Sequence, residues 1–470
     1  MRDMATKDLL EAFRAVTGPA GVVDAPDAMA GYLTDWTGRW TGQAIAVLRP
    51  DGTDQVAALL GLCHRHGVAV TTQGGNTGIA GGATPIPDRD HVVLSLDRMQ
   101  RILAIDPAAR TATVQAGTVL QTLQEAVADH GLTYPLMFGA RGSCTIGGTL
   151  ATNAGGSNVL RYGTARALCL GVEAVLADGT AISDLQGLRK DNTGYDLRDL
   201  LIGSEGTLAV ITAAVLRLHP APVAVTTGFL SLSGPEAALG VLNALQDATG
   251  GLVEAFEYMP APLIDRICAH TGARPPLAAP APTGILLEAA STRPSDRDAG
   301  GLEDLVQDCL AGLMERGLVL DAVIAASGQQ RRDLWAMREA TAESIMAVDG
   351  YIFDLSLPLS QIAPFLQVTD AEVARAGMTA LTVGHLGDGN LHYSIAPGGG
   401  AALGALRARI LDRVAAMGGS FSAEHGIGQD KLDLMAAYRD PARLAAMRAL
   451  RRAMDPAGIL NPGKTIPDAP

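Results

Sequence analysis

The sequence predicts a two-domain α+β protein, and three observations carry that expectation. The chain has 470 residues, more than one ordinary core accommodates. Its first half is dense in glycine and β-branched residues arranged as short runs between turns. Past Pro220-Ala221-Pro222 the pattern changes to longer units in which strand and helix signals alternate, as in a sheet with helices laid against one face.

Taken in order, residues 44–48, 68–72, 92–96, 101–105 and 111–116 read as short strands, and 54–65 and 118–129 as helices. Glycine-rich stretches at 73–85, 139–156 and 203–207 interrupt them, the last leading into a strand over 208–218. The second half gives strand 225–232, helix 234–248, strand 252–259 and helix 262–269. A second round follows: strand 283–290, helix 302–316, strand 319–325 and helix 328–346, with the Pro- and Ala-rich 274–282 as a loop. Residues 455–464 are turn-forming and are expected to pack back on the body. The expected domains are 1–220, 221–425, and a C-terminal helical segment 426–470 returning to the first.

Hydrophobic residues make up 48% and charged residues 18% of the chain, a balance that suits a globular protein with ample apolar surface to bury. A formal net charge of -13 disfavours nucleic acid or an anionic membrane as partner, because both select for positive charge. The five cysteines (Cys63, Cys144, Cys169, Cys268, Cys309) form no Cys-x-x-Cys pair and are odd in number, which fits a reducing compartment and a cytoplasmic location. No signal peptide and no apolar run near about 18 residues is visible, so no spanning helix is expected.

Gln73-Gly74-Gly75-Asn76-Thr77-Gly78 follows an apolar strand directly. Adjacent glycines let successive N–H groups turn inward as an anion nest, suited to a pyrophosphate; a simple tight turn is the alternative. The spacing matches neither the dinucleotide fingerprint nor a P-loop. From Gly142-Ser143-Cys144-Thr145 through Gly147-Gly148 to Asn153-Ala154-Gly155-Gly156-Ser157 nearly every residue is small. A backbone so stripped of side chains suits close approach to a large planar or extended ligand. Gly203-Ser204-Glu205-Gly206-Thr207 offers a third approach.

Three of the nine histidines fall in Gly384-His385-Leu386-Gly387-Asp388-Gly389-Asn390-Leu391-His392 and Glu424-His425-Gly426. Two imidazoles and a carboxylate are a common ligand set for a divalent metal, leaving one His for proton transfer. Asp388-Gly389 signals a two-residue hairpin turn, which sets His385 opposite His392 on one face, Cβ atoms about 5 Å apart. One His in a glycine-rich turn is often just a surface residue, and Glu424 and His425 read alone as a solvated carboxylate and a core histidine. The four together favour a metal. Neighbours on a strand point to opposite faces, so Glu424 and His425 need a turn to act together, and Gly426 permits one.

These motifs resemble a known family. The loops at 74–82, 142–156 and 203–207 are similar to those of the vanillyl-alcohol-oxidase/p-cresol-methylhydroxylase type of FAD domain. Gly-His-Leu-Gly-Asp-Gly-Asn-Leu-His, Glu-His-Gly-Ile-Gly and Asp-Pro-x-Gly-Ile-Leu-Asn-Pro resemble its D-lactate and D-2-hydroxyglutarate dehydrogenase branch, over residues 36–464. The resemblance implies a two-subdomain FAD-binding domain, an α+β substrate (cap) domain and a C-terminal helical segment. Gly74, Gly75, Asn76, Thr77, Gly78, Gly81 and Gly82 would cradle the FAD pyrophosphate. Gly142, Ser143, Thr145, Gly148, Ala151, Asn153, Gly155 and Gly156 would enclose the rest, with Glu205, Gly206, Ile211 and Asn461 at the isoalloxazine. Some relatives attach flavin through a His of the first loop; here the loop offers Asn76, so a dissociable FAD is expected.

The same resemblance makes His385, His392 and Glu424 ligands of zinc or manganese and His425 the general base and a substrate contact. Arg338, a planar permanently charged fork, would bind the substrate carboxylate, an exposed helix Arg paired with a Glu being the alternative. Relatives acting on 2-hydroxyglutarate carry a Thr four residues after this Arg, a Lys before Asp-Leu-Ser-Leu-Pro, and an Asn two residues after the second His. Here Ala342 stands first, Tyr351-Ile352-Phe353 has no Lys, and Ser394, the third substrate-site candidate, replaces the Asn. The expected activity is oxidation of a small D-2-hydroxy acid to the 2-oxo acid, a lactate-like acid or one with a larger apolar side chain favoured and 2-hydroxyglutarate left open. Electrons would pass to a protein or quinone, and a homodimer is compatible with all of this. The alternatives are a glycolate or hydroxyacid oxidase subunit, a non-catalytic FAD-binding subunit of a complex, and an iron oxygenase without flavin.

Overall fold

The computed structural model describes residues 2–87, 89–298 and 300–468. The chain divides into two compact units. The first comprises the chain up to Gly155, Thr164–His219 and everything from Glu424 on; the second is Gly156–Gly163 with Pro220–Ala423. The C-terminal segment thus groups with the first unit, and Gly156–Gly163, placed by sequence in the cofactor domain, groups with the second.

The first unit holds two main sheets. In one, Ala46–Leu48 and Ala69–Gln73 run parallel on either side of His91–Ser95, with Val22–Val23 antiparallel at one edge. The helix Thr53–His66 between two of these strands buries Val56, Leu59, Leu60 and Cys63, the one-faced spacing of a helix lying on a sheet. It stops at Gly67, whose left-handed backbone (φ 65°) returns its N–H to the carbonyls of Cys63 and His64, a glycine C-cap. Ala69–Gln73 is the other edge, which would leave unpaired N–H and C=O groups. The expected return of the tail fills it. Val70 N–H donates to Ile459 O (2.8 Å), Asn461 N–H donates to Val70 O (2.8 Å), and Leu460 is buried in the same core as Leu48, Val70 and Leu94.

The other sheet is antiparallel, in the order Ile102–Asp106, Thr111–Gln115, Val210–Arg217, Cys169–Val175, Ala181–Ser183. Its central strand is almost wholly buried, so the loop 203–207 that feeds it is fixed at one end.

The second unit is built on an eight-stranded antiparallel sheet. The order is Val319–Ile324, Ala224–Leu232, Thr283–Ser291, Val253–Tyr258, Val383–His385, Asn390–Ala396, Tyr351–Ser356, with Thr379–Ala380 also paired to Asn390–Ala396. The helix expected over 328–346 is two, Gly328–Glu339 and Thr341–Met346. No Gly or Pro marks the break at Ala340, so periodicity alone reads them as one. Among the described residues no helix is long and apolar enough to cross a membrane.

Candidate active site

The first unit encloses a cavity of about 360 Å³. The strand Ala69–Gln73 delivers Gly74 and Gly75 to its wall, and both glycines are dictated by packing. A Cβ at Gly75 would stand 1.9 Å from the Ser143 carbonyl oxygen, and one at Gly74 2.2 Å from Thr145 Oγ1. Two of the glycine-rich stretches therefore touch backbone to backbone, which only glycine allows. Of the residues expected around a cofactor, Gly74, Gly75, Asn76, Thr77, Gly78, Gly82, Thr145, Gly148, Ala151, Gly155, Glu205, Gly206, Ile211 and Asn461 line the cavity.

Gly81, Gly142, Ser143 and Asn153 are not on that wall. Gly81 has a positive φ, and a Cβ there would meet the Trp40 ring at 2.8 Å; Asn153 Oδ1 accepts the Arg166 N–H at 3.0 Å. Gly156 belongs to the second unit. The Asn76 side chain is turned to protein, its Nδ2 donating to the carbonyls of Gly31 and Thr34.

Among the wall residues that the sequence did not single out is Thr72. Thr72 lies near the end of the strand Ala69–Gln73, and its hydroxyl is out of solvent contact with no hydrogen-bond partner among the described residues. A buried polar atom of this kind needs a partner, and a ligand filling the cavity would supply it. The wall is mainly apolar side chain and exposed backbone, which fits a large ring system with polar edges, as a flavin nucleotide has.

The cavity rim carries an unusual backbone. Glu205 and Asn461 both adopt left-handed φ (52° and 42°), uncommon away from glycine. Asn461 Nδ2 donates to Gly82 O (3.0 Å) and Glu205 O (2.7 Å). The fully buried Lys464 donates from Nζ to Asn461 Oδ1 at 2.7 Å. Burial pushes this ammonium down to about 7, against the pull of the Glu205 charge.

Glu424 and His425 also line this cavity. Their segment has no regular structure, with φ of 77° at Gly426 and 51° at Gly428, so the expected turn is present and strand alternation does not apply. His425 Nε2 lies 3.8 Å from Glu424 Oε1.

In the second unit the hairpin forms in a different register. Val383 pairs with His392, Gly384 with Leu391 and His385 with Asn390, so His385 is not directly opposite His392. The turn is a four-residue loop, with the N–H groups of Asp388 and Gly389 both on His385 O and positive φ at Gly389 alone. The physical reason lies at Gly389: a Cβ there would stand 2.4 Å from Leu357 O, so the loop tip is fixed by tertiary packing. A shift of two residues preserves side-chain parity. His385 and His392 still share a face as diagonal neighbours, ring centroids 5.6 Å apart.

A carboxylate stands behind each ring. Glu257, opposite His385 on Val253–Tyr258, is fully buried and accepts from His385 Nδ1 at 2.6 Å and from Arg338 Nε at 2.6 Å. Burial alone would push the Glu257 carboxyl up; the charges and hydrogen bonds of His385 and Arg338 outweigh it and hold it below the usual carboxylate range. With Nδ1 donating to an anion, the His385 lone pair is on Nε2, the arrangement of a metal-ligating imidazole backed by a carboxylate. Asp354, opposite His392, lies 3.9 Å from His392 Nδ1. Its carboxylate accepts from Asn390 Nδ2 and from the Ala423 N–H, both at 3.1 Å.

Arg338 is thus a largely buried ion-paired residue of the Gly328–Glu339 helix, fixed through Nε. Ser394 sits on the same face of its strand as His392, fully buried, its hydroxyl donating to His392 O at 3.2 Å. Glu257 and Asp354 escaped the sequence reading. Their one local signal is a carboxylate inside a strand otherwise apolar enough to be buried, Val-Glu-Ala-Phe-Glu-Tyr and Tyr-Ile-Phe-Asp-Leu-Ser.

Comparison with known proteins adds to this geometry. Residues 221–465 match the family described as FAD linked oxidases, C-terminal domain, and residues 44–184 that described as FAD binding domain. The chain is 39% identical over 468 residues to the mitochondrial D-2-hydroxyglutarate dehydrogenase of Bos taurus, covering 99% of this chain and 84% of that protein. It is 33% identical over 473 residues to D-2-hydroxyglutarate dehydrogenase of Stutzerimonas stutzeri (strain A1501), covering 98% and 99%. Among solved structures, p-cresol methylhydroxylase with substrate bound matches with a TM-score of 0.74 at 16% identity, covering 98% of this chain and 96% of that one. The isoeugenol complex of 4-ethylphenol oxidase from Gulosibacter chungangensis matches with a TM-score of 0.73 at 17% identity, covering 98% and 97%. These two likenesses concern the fold.

Proposed function

The chain belongs to the FAD-linked oxidases, on the branch of the D-2-hydroxyacid dehydrogenases, and on that premise we propose that it is a divalent-metal-dependent dehydrogenase of D-2-hydroxy acids. The observation that carries the metal is the Arg338–Glu257–His385 chain, which gives one imidazole the fixed orientation a ligand needs. His385 and His392 with Glu424 would hold zinc or manganese. When bound, the cation supplies a Lewis acid for the substrate oxygen and the flavin a hydride acceptor.

His425 takes the hydroxyl proton, as a neutral imidazole can, and its place on the cavity wall supports that role. Arg338 orients the substrate through a carboxylate. Its Nε is committed to Glu257, and its two terminal amino groups make no hydrogen bond among the described residues, so they remain as a bidentate donor. The FAD is held without a covalent bond. Electrons leave to a protein or quinone acceptor, because the sequence has no nicotinamide fingerprint.

For the substrate, the favoured reading is a monoacid with an apolar side chain. Ala342, Ser394 and Tyr351-Ile352-Phe353 supply fewer groups for a second carboxylate than the pattern of 2-hydroxyglutarate enzymes. The names of the relatives favour the diacid as the second reading. A panel of D- and L-2-hydroxy acids with an artificial electron acceptor, run anaerobically, decides between them. Turnover of D-acids with kcat/KM for D-lactate or a longer monoacid above that for D-2-hydroxyglutarate is expected; a clear preference for the diacid would refute the favoured reading, and no turnover of any hydroxy acid would refute the activity.

The cavity as flavin site has its own test. Gly75→Ala places a methyl where the Ser143 carbonyl oxygen already is, so the two loops must separate. Flavin per purified protein, read from the visible spectrum after gel filtration, is expected to fall well below the wild-type ratio. A fully yellow Gly75→Ala protein would move the cofactor elsewhere.

A further inference from the structure

The family resemblance would set Glu205 at the isoalloxazine, and in the structure its carboxylate is engaged by the turn after His425. Each carboxylate oxygen accepts one backbone N–H, Oε1 from Ile427 and Oε2 from Gly428, both at 2.8 Å. These are the second and third residues after His425. At Gly426 a Cβ would come within 3.1 Å of the carboxylate, so glycine there lets the turn close on the anion. The opposite side of the turn is pinned as well. Gln429 N–H donates to Ala80 O at 2.8 Å, the Gln429 side chain donates to the carbonyls of Gly81 and Thr84, and a Cβ at Gly428 would overlap Ala80 O at 2.0 Å. The left-handed backbone at Glu205 is the kind of local strain that surrounding structure must hold in place, and here Asn461 holds its carbonyl.

We propose that Glu205 is a positioning residue for His425: its carboxylate, by receiving the N–H groups of Ile427 and Gly428 together, sets the turn that keeps the imidazole on the cavity wall. The inference rests on the reading of His425 as the proton acceptor. Two parallel N–H donors call for two acceptor oxygens on one rigid group, and a carboxylate is the side chain that offers them. Burial holds the Glu205 carboxyl above the usual carboxylate range, against the pull of the two N–H groups and the Lys431 charge, while the two N–H groups aimed at its two oxygens favour the charged form.

The test is Glu205→Gln in the FAD-loaded protein, alone and combined with His425→Ala. The amide keeps the shape but sets an NH2 against one of the two N–H donors, so the turn must shift. A misplacement near 1 Å costs about 100-fold, so kcat is expected to fall roughly 10- to 100-fold with KM for the hydroxy acid changed by less than about threefold. The flavin spectrum and flavin content should match the wild type. In the His425→Ala background, where the residual rate of anaerobic flavin bleaching is read, Glu205→Gln should change the rate by less than about twofold, because neighbours acting through one group do not add.

A Glu205→Gln enzyme within twofold of the wild type would overturn the proposal. So would an undiminished further loss in the His425→Ala background, or activity that falls in step with flavin content. A His425→Ala enzyme as fast as the wild type would instead overturn the catalytic reading beneath it. Gly426→Ala, which crowds the same carboxylate from the other side, serves if Glu205→Gln does not fold, with the same non-additive result expected.

Discussion

Replacing His425 with Ala is expected to cut turnover by roughly 10²- to 10⁴-fold, the range for losing a positioned general base, or about 3–5 kcal/mol of barrier. The side chain lines the cavity of the first unit with Glu424 and Asn461 and is only partly buried, 26% of it exposed. Removing the ring therefore takes away the proposed proton acceptor with little loss of buried packing. The purified variant should keep its yellow colour, its flavin ratio and its thermal midpoint while substrate-driven flavin bleaching slows by the same factor as kcat. Loss of flavin instead of rate would mean that the ring serves the cofactor.

Metal removal is expected to have an effect of comparable size. A Lewis acid on the substrate oxygen contributes several kcal/mol, so exhaustive chelation should lower turnover about 1,000-fold, with recovery on adding back zinc or manganese. Elemental analysis after dialysis gives a readout independent of rate and should find one ion per chain before chelation and none after. Glu257 links this result to the fold. Glu257→Gln weakens the orientation of His385 and should reduce retained metal, since losing a carboxylate behind a ligating imidazole typically costs about 10- to 100-fold in affinity. Full activity in the chelated protein, with its metal demonstrably gone, would end the assignment of His385, His392 and Glu424.

What could be read in advance was local. The small-residue stretch 142–156 suggested backbone lying close to a ligand, whereas the glycine pair at 74–75 alone left a simple tight turn open. The hairpin carrying His385 and His392 was legible from Asp388-Gly389 and from alternation. Its register was not, because the loop tip is fixed by Leu357 O, more than thirty residues earlier in the chain.

Glu257 shows the same limit more sharply. Nothing in the spacing of Val-Glu-Ala-Phe-Glu-Tyr says that the second carboxylate faces a histidine 128 residues away. A buried charge is tolerable only with its partners in place, and those partners are a property of strand order. The broken helix at Ala340 and the role of Glu205 were hidden for related reasons: the first has no breaker residue, and the second receives its donors from a segment more than 220 positions downstream.

The pairing of the tail with Ala69–Gln73 bears on how the protein is made. On the ribosome, the strand that leads into the cavity of the first unit emerges nearly 400 residues before the segment that covers its edge. The first unit must therefore wait, incomplete, while the whole second unit is translated. Premature termination anywhere before residue 455 should leave that edge bare and prone to pair with another chain, so truncated products are expected to aggregate in cells even when most of both units has been synthesised.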